Sequence, residues 1–230
     1  MLFHRIANRP PNPNGGSVIF ALQILLVILV PLLDDGKALA PPSYVAALVA
    51  VQTATVGLLG YHRTAAAIAL GGSLALSVVA ILGFRTTPMR LALWATLVWG
   101  GATTVALTLK SAFASGVPPV QRIFCGAAGY VMLGFVFAAL HGLAGFLLQN
   151  GILDQGAYVL QAGLERTRPI HWPDYVWLSF ATLSTSGFGD VVAVGSLPSA
   201  LATLEAVAGI LFPATLIARI ASLADADRRK

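Results

Sequence analysis

Apolar runs alternate with short polar breaks along nearly the whole chain, at 17–33, 44–59, 65–84, 91–109, 123–148 and 199–223. A bilayer core needs about 20 mostly apolar residues of helix, so the pattern predicts six transmembrane helices. Between the fifth and sixth, residues 174–183 are apolar and aromatic but only about half that length, which predicts a re-entrant helix. The expected fold class is all-α transmembrane.

The first run has one competing interpretation, a secretory signal cut after Ala38-Leu39-Ala40. Asp34 and Asp35 intervene and Pro41 would follow the cut, which favours a retained helix. Residues 1–16 are polar, rich in proline and asparagine, and read as a tail. Six spans place both termini on one side of the membrane. That side collects Arg5, Arg9, Arg63, Lys110, Arg122, Arg219, Arg228, Arg229 and Lys230. The other side has Lys37, Arg85, Arg90, Arg166 and Arg168. The bias predicts cytoplasmic termini in a multi-pass protein of the cell (inner) membrane. Arg85 and Arg90 fit this arrangement by snorkelling to the interface.

Composition agrees with burial in lipid. The chain of 230 residues is 57% hydrophobic and 10% charged, too little polar surface for a soluble globule of this size. The net charge of +5 comes without a basic cluster interleaved with aromatics, so no nucleic acid partner is expected. Cys125, the single cysteine, has no intrachain disulfide partner and reads as a small buried hydrophobe. Small residues dot the helices (Gly71, Gly72, Gly100, Gly101, Gly126, Gly129), which suits close packing of backbones in lipid. The halves show no sequence repeat, so an inverted-repeat transporter is not supported.

The chemistry concentrates in residues 173–190. Pro173 and Asp174 suit the first turn of a helix, where proline loses nothing and a carboxylate meets the positive end of the helix dipole. The helix expected to follow ends near Ser184, with its negative end toward mid-membrane. Gly187 and Gly189 then flank Phe188. Alternate glycines each cost about 1 kcal/mol inside a helix. They make sense where several successive carbonyls must point one way, because glycine enters left-handed backbone without strain. Four such strands around an axis would form rings of carbonyls able to replace a cation's water shell.

At these residues the chain resembles the potassium channel pore family, whose filter motif reads Thr-Val-Gly-Tyr-Gly-Asp. The matching residues are Thr185, Ser186, Gly187, Phe188, Gly189 and Asp190. Ser186 replaces an apolar wedge and Phe188 replaces a tyrosine. The resemblance covers about residues 123–221 and implies a selectivity filter between helices 5 and 6. It implies potassium at Thr185, Ser186, Gly187 and Phe188, with Gly189 completing the strand. It further implies a homotetramer in lipid that uses no cofactor beyond the permeant ion. Trp177, thirteen residues before Asp190, is placed by the same resemblance in a pair that braces the filter. Where some members carry a glutamate this chain has Ala181. Gly209, nineteen residues after Asp190, matches the family's hinge glycine, although close packing is an equal reason for a glycine there. Pro213 should add a kink. The family's bacterial members often show a Leu-Glu like that at Glu205, which is the sole acid in the spans. It faces either the ion path or the back of the pore helix.

The expected domains are a tail at 1–16, a four-helix membrane domain at 17–110, a pore domain at 111–223 and a short tail at 224–230. Residues 91–109 contain no charge, whereas a voltage sensor carries 3–4 gating charges per subunit, so steep voltage gating is not expected. The eleven residues after Arg219 leave no room for a cytoplasmic ligand-binding domain. His141 reads as a neutral packing group, with proton sensing as the minor alternative. Enzymatic activity is not expected. Six helices with Ser186 and His141 invite comparison with rhomboid-type intramembrane proteases, but there the histidine follows the serine, and here it precedes it. A weakly selective cation channel and a non-conducting membrane scaffold remain as alternatives.

Overall fold

The structure is a computed structural model, and it describes residues 14–33, 42–59, 86–114, 117–149, 158–160 and 170–228. Helices occupy the apolar runs, and two of them continue through an internal proline, Pro31 and Pro213. In chain order they are α1 (Gly15–Leu32), α2 (Pro42–Leu58), α3 (Thr87–Ala112) and α4 (Pro119–Gln149). Strand β1 (Tyr158–Leu160), the short helix α5 (Trp172–Leu183), strand β2 (Val191–Ala193) and the long α6 (Ser196–Arg228) follow. Prolines sit in the first turns of α3 and α5, where a missing N–H leaves no bond unmade.

Among the described residues, α1, α3, α4 and α6 are long and apolar enough to cross a membrane. The 17 residues of α2 reach about 25 Å, short of the hydrocarbon thickness. The run expected at 65–84 lies outside the described residues. The protein is therefore an all-α membrane protein with one small addition. Strands β1 and β2 pair antiparallel, Tyr158 opposite Ala193 and Leu160 opposite Val191. Three residues are too few to show an alternating pattern, which is why this pairing escapes a reading of the sequence.

Helix α4 is the mast of the structure. Two thirds of its apolar window is buried (67%), against 17% for α6, and α1, α3, α5 and α6 all pack on it. Its glycines are the docking points. A side chain at Gly126 would meet Leu216 of α6, one at Gly134 the Phe180 ring of α5, and one at Gly142 the Trp94 indole of α3. Such close approach is how helices associate in lipid, where no hydrophobic force pushes them together. Above Gly142, Trp94 packs 5.7 Å from the Trp172 ring, which in turn lies 5.8 Å from Tyr44 of α2. The start of α5 is thus set into an aromatic cluster built by α2 and α3.

The threonines of α3 show how polar side chains are accommodated at this depth. Thr96, Thr103, Thr104 and Thr108 each donate a hydroxyl to the carbonyl four residues back, at 2.6–2.9 Å. The bonds are satisfied within the helix, as a membrane interior requires. At the other end of the bundle, Gln121 Oε1 accepts from the Gly16 and Ser17 amides at 3.0 and 3.3 Å. It supplies a partner for first-turn amides that a helix cannot satisfy by itself.

The close approach at Gly142 is testable. Trp94 is 2% exposed and held by Trp172 and Tyr175, so it has nowhere to withdraw. Gly142→Ala is expected to destabilise the protein by about 1–3 kcal/mol through overpacking. Thermal unfolding in mild detergent reads this as a lower midpoint, and an unchanged midpoint would contradict it.

Candidate functional site

The site begins with the entry to α5. The His171 amide donates to Asp174 Oδ2 at 2.8 Å, and the Asp174 amide donates back to the His171 carbonyl at 3.1 Å. This fastens the first turn around Pro173. The 12 residues of α5 then run about 18 Å, far short of a span. Tyr175, Val176, Leu178 and Leu183 are buried, so the helix is embedded in protein along one face.

Residues 184–189 fold back onto the end of that helix. The Ser184 amide donates to Phe180 O at 3.0 Å and the Thr185 amide to Thr182 O at 3.0 Å. The Ser186 and Gly187 amides share one acceptor, Ala181 O, at 2.9 and 3.1 Å. Backbone angles then alternate in sign. Thr185, Gly187 and Gly189 have φ of 59°, 55° and 76°, while Ser186 and Phe188 between them are on the negative side. Thr185 is the one non-glycine residue with positive φ among those described. A β-branched residue is rarely found there, and the strain is on the order of 1–3 kcal/mol. All of 184–189 are exposed in the single chain.

The aromatic ring of this segment lies flat on α5. Phe188 stacks on Trp177 with centroids 5.0 Å apart and planes 21° from parallel. No hydrogen bond joins the Trp177 indole to Asp190, so within one chain this indole supports the segment through Phe188. The Ser186 hydroxyl, where the resembling family has an apolar side chain, lies 2.8 Å from the Ser184 hydroxyl. A cleft of about 290 Å³ runs behind the segment, bordered by Thr182, Asp190, Ser199 and Ala202.

Behind α5 lies a buried polar chain. Glu205 of α6, His141 of α4 and Ser179 of α5 are each 0% exposed. His141 Nε2 is 3.0 Å from Glu205 Oε2, and its Nδ1 is 2.8 Å from the Tyr158 hydroxyl of β1. Glu205 Oε1 bonds the Ser179 hydroxyl, which also reaches Gly134 O of α4 at 2.6 Å. Burial, the largest cause, pushes the Tyr158 phenol well above its ordinary range, so it remains protonated. Glu205 therefore sits behind the short helix, turned away from the exposed segment.

Gly209 has a definite neighbour. A side chain there would run into the Leu183 carbonyl, the last of α5. That same carbonyl accepts from the Tyr130 hydroxyl at 2.9 Å. Four residues on, Pro213 lies inside a helix that continues from Ser196 to Arg228.

Residues 152–225 match the sequence model of an ion channel family. The match covers roughly a third of the chain and takes in α5, the exposed segment and nearly all of α6. No curated protein matches the chain. The ion-channel-like segment thus coincides with the part of the fold where a short helix, a strained turn and a long helix meet.

The structure brings Trp177, Thr185, Ser186, Gly187, Phe188 and Gly189 into one unit and sets Glu205 and Gly209 behind it. Two contributors escaped the sequence reading, Ser179 and Tyr158. Ser179 is the lone hydroxyl in the apolar middle of α5, and an acid in a membrane helix demands partners. Those two facts together carried the signal. Tyr158 lies among loop residues and gave none.

Gly209 allows two roles to be separated. A freely hinging glycine replaced by alanine would gain about 1 kcal/mol of helix stability. A glycine that admits the Leu183 carbonyl would lose stability, because backbone cannot move aside. Gly209→Ala is expected to lower the unfolding midpoint, and a raised midpoint would favour the hinge.

Proposed function

We propose that this chain is a potassium-selective ion channel in which four copies each contribute one filter strand, Thr185 to Gly189. The observation that carries the reading is the alternating sign of φ at Thr185, Gly187 and Gly189, directly after a helix too short to span. Alternating hands keep a backbone extended while turning successive carbonyls to one side. Among the described residues no group of three His, Cys, Asp or Glu is arranged to hold a metal ion. Carbonyl and hydroxyl oxygens are the donors available here, and they suit an alkali cation stripped of water.

One strand cannot surround an ion, whereas four around an axis can. The exposure of 184–189, of Trp177 and of the α6 side chains Leu204, Val207, Ile210 and Leu211 leaves a large face for neighbouring copies or lipid. In this reading residues 111–223 form the pore domain, α5 is its re-entrant pore helix, and residues 17–110 are a scaffold. The termini are cytoplasmic, as the lysine and arginine bias favours, in the cell membrane. The carbonyl end of α5 faces the axis and steadies a cation in mid-membrane. Trp177 and Phe188 brace the strand from behind. Glu205 belongs to the support and not to the ion path.

Two other functions are disfavoured by particular contacts. A serine protease needs a histidine on its nucleophile, but both nitrogens of His141 are engaged by Tyr158 and Glu205, and Ser186 bonds Ser184. A voltage sensor needs charge within the field, but α3 holds Arg90 and Lys110 only near its two ends. A weakly selective cation channel is the closest alternative, since Ser186 packs less firmly than an apolar side chain.

Purified protein in liposomes is expected to carry potassium in preference to sodium, and to appear as a tetramer by native mass spectrometry. Gly187→Ala should abolish flux, because a Cβ resists the positive φ at that position. Ser186→Val should keep or raise the selectivity read from reversal potentials in mixed solutions. A tetramer without potassium flux, or normal flux in Gly187→Ala, would defeat the channel reading. Open probability is expected to vary weakly with voltage. Activation as steep as several gating charges per subunit, in current–voltage steps, would show that α3 or its neighbours sense the field.

A further inference from the structure

The polar chain behind α5 can be counted proton by proton. Four contacts run in sequence: Tyr158 hydroxyl to His141 Nδ1, His141 Nε2 to Glu205 Oε2, Glu205 Oε1 to Ser179 Oγ, and Ser179 Oγ to Gly134 O. A carbonyl oxygen and an ionised carboxylate only accept, while a hydroxyl has one proton to give. With Glu205 ionised and His141 neutral, Tyr158, His141 and Ser179 bring three protons to four contacts. Ser179 is then asked to donate to Glu205 and to Gly134 at once, and one contact fails.

A fourth proton placed on His141 does not repair this. Nδ1–H would then point at Tyr158, whose own proton is left over, and Ser179 would still face two acceptors. Placed on Glu205 Oε1, the same proton closes every contact. Tyr158 donates to His141 Nδ1, His141 Nε2–H donates to Glu205 Oε2, Glu205 O–H donates to Ser179, and Ser179 donates to Gly134 O. Tyr130, a further titratable group near Glu205 among the described residues, has its hydroxyl engaged by the Leu183 carbonyl. Tyr175 of α5 packs its ring on Tyr158 at 5.4 Å. Glu205, His141 and Ser179 are fully buried, so a contact among them that lacks its proton leaves a buried polar group unsatisfied.

We propose that Glu205 is a neutral carboxylic acid that positions the pore helix, its proton completing a hydrogen-bond chain from strand β1 through His141 and Ser179 to the backbone of α4. Its two oxygens join α6 to α4 and α5 at the level of Ser179, two residues before the Ala181 carbonyl that receives the Ser186 and Gly187 amides. The chain thus fixes the height of α5 against both long helices, and through Ala181 the seat of the exposed strand. The effect on conduction rests on the channel reading, whereas the proton itself does not.

Infrared difference spectroscopy on the full-length protein in lipid reads the proton directly. Wild type is expected to show a protonated-carboxyl carbonyl band that disappears in Glu205→Gln. Absence of any band attributable to Glu205 would overturn the proposal, whatever the protein conducts. Glutamine supplies an N–H toward Ser179 and an oxygen toward His141 Nε2–H, so it reproduces all four contacts without a charge. Glu205→Ala and His141→Ala cannot. Potassium flux in Glu205→Gln is therefore expected to exceed that in Glu205→Ala by about tenfold or more, the equilibrium weight of one buried hydrogen bond. Equal damage in the two variants would mean the negative charge is needed and would sink the proposal. If wild type itself carries no flux, the channel reading fails and the infrared band alone decides for or against the neutral acid.

Discussion

An acid inside a membrane protein must be matched by partners or it destabilises the fold, and here one acid, Glu205, draws its partners from two other helices. His141 of α4 and Ser179 of α5 meet it at full burial, and Tyr158 of β1 extends the chain. Removing one partner from such a buried contact typically costs about 1–3 kcal/mol, because the remaining polar group is left unsatisfied in a low dielectric. That penalty ties the short helix to the two long ones more firmly than apolar contact with lipid-like surroundings can. It also specifies register, since only one height of α5 lets Ser179 reach both Glu205 and Gly134 O.

The rest of the support follows from that fixed height. Phe180 sits over Gly134, Trp172 lies in the cluster with Tyr44 and Trp94, and the Leu183 carbonyl is received by Tyr130 and Gly209. The last turn of α5 then presents Ala181 O to two consecutive amides, and the chain is forced into positive φ at Thr185. Strain of this kind persists only where its surroundings over-determine it. The sequence of causes runs from one paired acid, through a seated helix, to a strained and exposed segment at 184–189.

The described N-terminal helices, α1 to α3, relate to this unit mainly through α4 and the aromatic cluster. Helix α3 packs along α4 at Gly142 and Gly101, and α1 closes the far end at Gln121 and Cys125. Apolar side chains left exposed on α6 are not anomalous in a membrane protein. Lipid can cover such side chains, and the Trp177–Phe188 stack is likewise exposed in the single chain.

Helices were legible in the sequence because lipid imposes a length and a polarity that leave a direct imprint on the apolar runs. The ends of α1, α3, α4, α5 and α6 fall within a few residues of those runs and of the prolines that bound them. The exposed segment was legible too, because alternate glycines after a short apolar helix answer to a local backbone requirement. Pairings across the fold were not legible. Glu205 and His141 each stood out as ionisable groups in apolar helices, yet nothing in their spacing said that they meet, or that Ser179 and Tyr158 join them. That Gly209 lies against the Leu183 carbonyl could not be read from the sequence either. The three-residue strands had no period to show. What the chain alone determined was each segment's own conformation, because length, polarity and glycine placement act locally. Which groups became partners was decided only by the tertiary structure, since a hydrogen bond across 64 residues of chain depends on how α4 and α6 pack and not on what lies between them.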